Sequence, residues 1–251
     1  AGGGVRGASA LVMMVFGLAS LAAYWLHALR SPNPLFVPGL FEVRTLRVGL
    51  LGNLFSRLGS SCMPFMIPLV LQVSLGYTPM QAGMMMLPTV LGSMAAKPLV
   101  TRIVRRWGYR EVLVANTCAL ALLIASFSLL SPSPPFALLL VQLALFGAVN
   151  SMQFSAMNTV TLKDLEGQDA SSGNSLLSMV QMLALGMGVA AAGAVLASFE
   201  GYFGQAQHAL NAFRATFACM GLLTLAATAL FLQLPAHEPP RAHPPVPEEQ
   251  V

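Results

Sequence analysis

Polar residues recur at helical spacing inside one apolar stretch of the chain, 48–73. An amide, a guanidinium and two hydroxyls lie on one narrow side of the predicted helix, together with two prolines. Such polar residues either form hydrogen bonds with neighbouring helices or line a path through the membrane. The residues are Asn53, Arg57, Ser60, Ser61, Pro64 and Pro68.

Arg57 is the only charged member of this set. It follows Val48 by nine residues, which corresponds to ~14 Å along a helix. Two interpretations are open: the arginine reaches the headgroups or contacts another helix, or it faces a wet cavity. Pro64 and Pro68 each remove a backbone hydrogen bond and predict a bend, which would suit a gating element.

Two later apolar stretches, 136–157 and 175–199, also have polar faces, which are explained either by helix packing or by a cavity. The chain contains 15 methionines, and flexible thioethers can re-pack around apolar ligands of different shapes, with core filling as the alternative. The predicted candidates for a substrate cavity are Asn53, Arg57, Met63, Gln142, Asn150, Gln153, Asn174, Ser178 and Gln181.

No acidic residue lies inside an apolar stretch. Because a proton-coupled pump needs a titratable group at membrane depth, this chain alone does not supply the usual one. The sequence also lacks a hydrolytic triad, a phosphate-binding loop and metal-ligand spacing, and its three cysteines are isolated. It therefore predicts a protein that is not an enzyme, with no catalytic residue, no metal and no cofactor.

Seven apolar stretches position these residues. Each approaches the ~20 residues that a helix needs to cross a hydrocarbon layer of ~30 Å. Apolar residues make up 56% of the chain and charged residues 9%, so we expect an all-α integral membrane protein. The stretches are Ala8–Leu29, Val48–Val73, Met80–Val100, Val112–Leu130, Phe136–Met157, Ser175–Phe199 and Ala215–Leu234.

The net charge of +4 is unevenly distributed. Seven arginines cluster in the connections that follow the first and third stretches, whereas the connections 74–79, 131–135 and 200–213 contain no Lys or Arg. The positive-inside rule then places the N-terminus outside and the C-terminus in the cytoplasm, although Arg6 and Arg214 depart from the pattern. This distribution indicates a membrane protein and argues against a nucleic-acid partner.

We expect four parts along the chain. Residues 1–30 form a single transmembrane helix, 31–47 a cytoplasmic interfacial linker, 48–234 a six-helix transmembrane bundle, and the proline-rich residues 235–251 a disordered cytoplasmic tail. The absence of an initiator methionine, combined with an N-terminus on the outside, predicts a piece of a longer protein.

Three segments resemble transporters of the major facilitator superfamily. Residues 102–110, RIVRRWGYR, resemble the basic cytoplasmic loop of that family, although Thr101 and Arg105 stand where the loop usually has glycine and aspartate. The stretches GNLFSRLGSSCMPFMIPLVLQVSLGYTPMQAGMMMLP (52–88) and NTVTLKDLEGQDASSGNSLLSMVQ (158–181) are similar to the C-terminal half of its fourteen-span drug:proton antiporters.

This resemblance implies a C-terminal six-helix bundle preceded by one transmembrane helix, the second of two extra spans between the halves. It implies proton-driven efflux of amphipathic small molecules across the bacterial cytoplasmic (inner) membrane. The expected partners are the lipid bilayer, protons, the substrates and the N-terminal half of the same transporter, which would carry the coupling carboxylates. The expected conformational loop consists of Arg102, Arg105, Arg106, Gly108 and Arg110.

Two other classes of protein remain as alternatives to a transporter. A channel or receptor would also be a helix bundle, but the short outer connections and the arginine-rich loop argue against a receptor. A non-transporting assembly or regulatory subunit is the other alternative, because half of a transporter has no second wall for its path.

Overall fold

The computed structural model describes residues 42–165, 167–203 and 209–234, together with Gly17 and Ala19, which are helical. The predicted span Ala8–Leu29 (apart from those two residues), most of the linker 31–47 and the tail 235–251 lie outside the described residues. A short 3-10 turn, Phe127–Leu129, follows the helix that ends at Ser126. The helices are α1 (Arg44–Ser60), α2 (Met63–Val73), α3 (Pro79–Met84), α4 (Leu87–Trp107), α5 (Tyr109–Ser126), α6 (Phe136–Leu162), α7 (Gly167–Phe203), α8 (Ala209–Ala226) and α9 (Thr228–Phe231).

Within the described ranges the helices form six segments that are long and apolar enough to cross a membrane, which confirms the all-α prediction. The ends differ from those expected, because helices continue beyond the apolar residues. The helix α7 has 37 residues, or ~56 Å, and exceeds a hydrocarbon layer of ~30 Å. The segments are Arg44–Val73, Pro79–Trp107, Tyr109–Leu129, Phe136–Leu162, Asp169–Phe203 and Ala209–Phe231.

The first segment is divided into α1 and α2 at Ser61 and Cys62. Pro64 lies in the first turn of α2, where its missing N–H has no helical partner to lose, and the Met66 N–H donates to the Cys62 carbonyl at 2.9 Å. A proline also clashes with the carbonyl four residues earlier, so the division falls just before Pro64. Pro68 lies inside α2.

The helices α4 and α6 share the most extensive contact of the bundle. A Cβ atom on Gly92 would collide with the Ala144 carbonyl, and one on Gly147 would collide with the Thr89 carbonyl. The Ser93 hydroxyl contacts the carbonyls of Thr89 at 2.8 Å and Gly147 at 3.1 Å. Small residues bring the two backbones together here, as is common where lipid offers helices no hydrophobic driving force.

The helix α1 contacts α6, α7 and α8 and thus lies inside the bundle. At the end where α1 begins, which we call the basic end, Arg44 donates to the Gln233 carbonyl and the Thr45 hydroxyl donates to Asp164 at 2.8 Å. At the opposite end Arg214 donates to the Leu130 carbonyl at 2.8 Å. That bond gives Arg214 a local structural role beside the 3-10 turn.

The expected basic loop, 101–111, is almost entirely helical, which corrects the prediction of a loop. Arg102, Arg105 and Arg106 lie on the last turns of α4, and Arg110 lies on the first turn of α5. The sole connecting residue is Gly108, with φ 83° and ψ 163°. That conformation is essentially restricted to glycine, so a single residue turns the chain between two antiparallel spans.

Gly108→Ala is expected to lower the free energy of unfolding by ~1–3 kcal/mol, because a Cβ atom is strained at this φ. The measurement is thermal unfolding of the purified protein in detergent. Gly186→Ala is the matched control, since a Cβ atom there meets nothing within 4 Å. Equal thermal unfolding midpoints for the two variants would contradict the conclusion that the conformation of Gly108 requires glycine.

Candidate functional site: an open polar face on α1, α6 and α7

Arg57 lies near the middle of the first segment, thirteen residues or ~20 Å from the start of α1. Its side chain is half-buried, and its guanidinium carbon lies 4.4 Å from the centre of the Phe154 ring on α6. The Nε atom is buried and has no hydrogen-bond partner among the described residues. The positive charge is therefore held mainly against an aromatic ring.

A second polar contact lies on the same side of α6. The Gln181 amide of α7 donates to the Asn158 side-chain oxygen at 2.8 Å, and both residues are half-buried. Asn158 follows Phe154 by one helical turn, so both project from one face of α6. The contact links α6 to α7 beside the pair formed by Arg57 and Phe154.

These residues define a surface, which we call the open polar face. Further along α7 towards its start, Ser178 and Asn174 are exposed, and the Ser178 hydroxyl donates to the Asn174 carbonyl at 2.9 Å. Met182 is 68% exposed next to Gln181. Asn150, one turn before Phe154 on α6, is half-buried. The open polar face consists of Arg57, Phe154, Asn158, Asn174, Ser178 and Gln181.

Sequence reasoning missed Phe154 and Asn158. They follow Asn150, a predicted candidate, by four and eight residues, so helical spacing places all three on one face of α6. This spacing could have identified both residues from the sequence. The ring was overlooked because an aromatic residue in an apolar stretch is usually part of the core. Its exposed fraction of 41% separates it from the core.

Asn53 and Ser56 lie beneath this face and are fully buried. The Asn53 amide donates to the Gly49 carbonyl of its own helix at 3.2 Å. The Asn53 side-chain oxygen and the Ser56 hydroxyl have no partner within the described part of the chain. Asn53 therefore does not face the open side, unlike Arg57 four residues later.

Gln153 belongs to a buried network between α5 and α6. It donates to the Thr117 hydroxyl at 2.7 Å and accepts from the Asn116 amide at 2.8 Å, and Asn116 also donates to the Val149 carbonyl. Only 2% of Gln153 is exposed. Of the two interpretations of such polar residues, hydrogen bonding between helices applies to this one.

Gln142 and Met63 lie elsewhere. Gln142 donates to the Ser126 hydroxyl at 2.7 Å and borders a groove of about 300 Å³ between α5 and α6, lined mainly by leucine and proline. Met63 is fully buried in the apolar cluster that also contains Phe127 and Phe217. Neither residue joins the open polar face.

Besides Arg57, a second cation lies within a membrane-spanning segment: Lys97, which was not among the predicted candidates. It lies inside α4, is exposed, and forms no hydrogen bond or ion pair with any described residue. It follows Ser93, which bonds Gly147 of α6, by one turn, so it lies on the side of α4 that borders α6. Its side chain lies one turn nearer the basic end than that contact.

Among the described residues, no acidic side chain belongs to this face. In the described ranges no cluster of three His, Cys, Asp or Glu residues could hold a metal ion. The described acids lie at or beyond the ends of the spans: Glu42, Glu111, Asp164, Asp169 and Glu200.

Six apolar helices in the described part of the chain, with an open polar face between them, define an α-helical integral membrane protein. The sequence profile of the Major Facilitator Superfamily matches residues 3–189 and again 49–250. The chain belongs to this superfamily, which confirms the resemblance and sets aside the channel and receptor alternatives. It is an integral protein of the bacterial inner membrane.

Curated relatives of this chain include bacterial proteins that carry the name multidrug resistance protein MdtD. The protein of Serratia proteamaculans is 46% identical over 228 residues, which is 89% of this chain and 47% of the relative. That of Pectobacterium atrosepticum is 46% identical over 78% of this chain and 42% of its own length. That of Salmonella heidelberg is 44% identical over 87% and 47% respectively. The chain spans about half the length of the relatives it matches.

The position of Lys97 can be tested by cysteine labelling in a background without Cys62, Cys118 and Cys219. Lys97→Cys should react with a water-soluble maleimide, because a charged side chain at this depth needs a wet surface. Leu99→Cys, 200° further around α4 and 50% exposed, should react slowly because it faces lipid. Equal rates for the two cysteines would contradict a water-facing position of Lys97.

Proposed function

We propose that this chain is the C-terminal portion of a proton-coupled transporter that exports drugs or other amphipathic small molecules. The supporting relatives carry the name multidrug resistance protein. In this proposal the open polar face is one wall of the substrate path, and the N-terminal half of the same protein supplies the other wall.

The observation that carries this proposal is the environment of the Arg57 guanidinium. A cation at mid-span is stable only next to water, a counter-ion or an aromatic face. Arg57 lies on Phe154 at the edge of an open surface, beside Gln181 and Asn158. A purely structural arginine would instead complete its hydrogen bonds inside the bundle, whereas the Nε atom of Arg57 is left without one among the described residues.

The composition of the face suits amphipathic ligands. Asn174, Ser178 and Gln181 offer hydrogen bonds, while the exposed thioether of Met182 offers apolar contact. Flexible thioethers tolerate ligands of different shapes. Binding here requires no covalent step and no cofactor.

Proton coupling is assigned to the remaining part of the transporter. A proton carrier at membrane depth needs a carboxylate or a histidine. The described membrane-spanning segments have their carboxylates only near their ends. We therefore place the coupling carboxylates in the N-terminal half.

Arg57→Ala in the full-length protein is expected to lower drug efflux roughly ten- to hundredfold, because a charged hydrogen-bonding group is lost from the substrate path. Efflux of a fluorescent substrate from cells measures this. Leu129→Ala, whose parent side chain is 83% exposed near the opposite end, serves as the control for expression and insertion. Wild-type efflux by both Arg57→Ala and Arg57→Lys would show that Arg57 is structural.

The proposed orientation places the basic end in the cytoplasm and the 131–135 connection outside, following the arginine distribution. In a cysteine-free background, Ser133→Cys should label from outside intact cells. Trp107→Cys, at the end of α4 and 59% exposed, should label only after permeabilisation. Labelling of both positions from the same side would refute this topology.

A further inference from the structure

We propose that Phe154 is a positioning residue for Arg57: its ring takes the place of a counter-ion and holds the guanidinium on the open polar face. The consequence for transport rests on the proposed function. The contact itself is a property of the bundle, and it can be tested without any transport measurement.

The charge of Arg57 requires such a partner. Ionised side chains within a membrane-spanning segment are stable when paired or hydrated. Arg57 forms no ion pair with any described residue, and the described carboxylates lie near the ends of the spans. The face of an aromatic ring carries negative potential and attracts a guanidinium within ~6 Å of its centre. At 4.4 Å, Phe154 meets this condition.

The packing of α1 on α6 determines which residue meets Arg57. Eight residues before Arg57, Gly49 lies so close to Thr161 that a Cβ atom would collide with it. The two helices run in opposite directions, so eight residues forward on α1 correspond to about eight residues back on α6. That step leads from Thr161 to Gln153 and Phe154. Gln153 points to α5, which leaves Phe154 opposite Arg57.

The exposure of the ring argues against a simple packing role. The large phenylalanines of the core, such as Phe146 and Phe213, are at most 2% exposed, whereas Phe154 is 41% exposed. Phe154 therefore contributes little to the core. Within the described part of the chain, the contact with Arg57 is the specific interaction that its ring makes.

Transport by full-length variants tests the positioning role. Phe154→Leu should raise the KM for an exported dye by roughly tenfold with little change in the maximal rate, while Phe154→Trp, which keeps a ring face, should restore the wild-type KM. Phe136→Leu is the matched control, since Phe136 begins α6 and is 58% exposed. If Phe154→Leu keeps the wild-type KM while Arg57→Ala loses efflux, the proposal is wrong.

A double-mutant cycle tests the contact independently of transport. The melting temperature of the purified full-length protein in detergent is measured for Arg57→Gln, Phe154→Leu and the double variant. Because a shared contact is lost only once, the double variant should lose less than the sum of the two single losses. Additive losses would overturn the proposal. Non-additive losses together with wild-type efflux by Arg57→Ala would keep the contact and contradict only the proposed function.

Discussion

The close approach of α1 and α6 is the constraint on which the rest of the bundle depends. Gly49 against Thr161 sets the register of the two helices, and every polar residue further along each helix then has a fixed neighbour. In lipid, helices are held together by packing and hydrogen bonds rather than by exclusion of water. A small residue at one contact therefore decides where a charged side chain lies two turns away.

Polar residues of similar chemistry have different roles in this bundle because of the direction in which they leave their helices. Gln153 and its sequence neighbour Phe154 differ by about one third of a turn. Gln153 connects to Thr117 and Asn116 inside the bundle, whereas Phe154 faces the open side and meets Arg57. Buried amides of this kind specify how α5 and α6 pack, whereas under the proposed function the half-buried groups of the open polar face bind the solute.

The six helical segments could be predicted because hydropathy follows directly from the bilayer. Their ends could not: α4 continues to Trp107 because backbone hydrogen bonds persist into the headgroup region, where arginine is tolerated. Helical spacing selected Arg57 on one helix and Gln181 on another, and the structure brings both to the open polar face. The sequence also suggested Gln153, Gln142 and Met63, which lie elsewhere in the bundle. Telling these apart requires knowledge of which helices are adjacent, and a single sequence does not contain that information.

Arg57 and Lys97 are positively charged side chains within membrane-spanning segments, and neither forms an ion pair with a described residue. Arg57 lies near the middle of its segment and Lys97 lies inside α4, whereas the described acids lie near the ends of the spans. Phe154 attracts a cation but does not neutralise it, so the positive potential of the open polar face persists. Under the proposed function, this potential acts on whatever enters the path between the two halves. A carboxylate that gains or loses a proton on the other wall would then change the field at Arg57 without touching it.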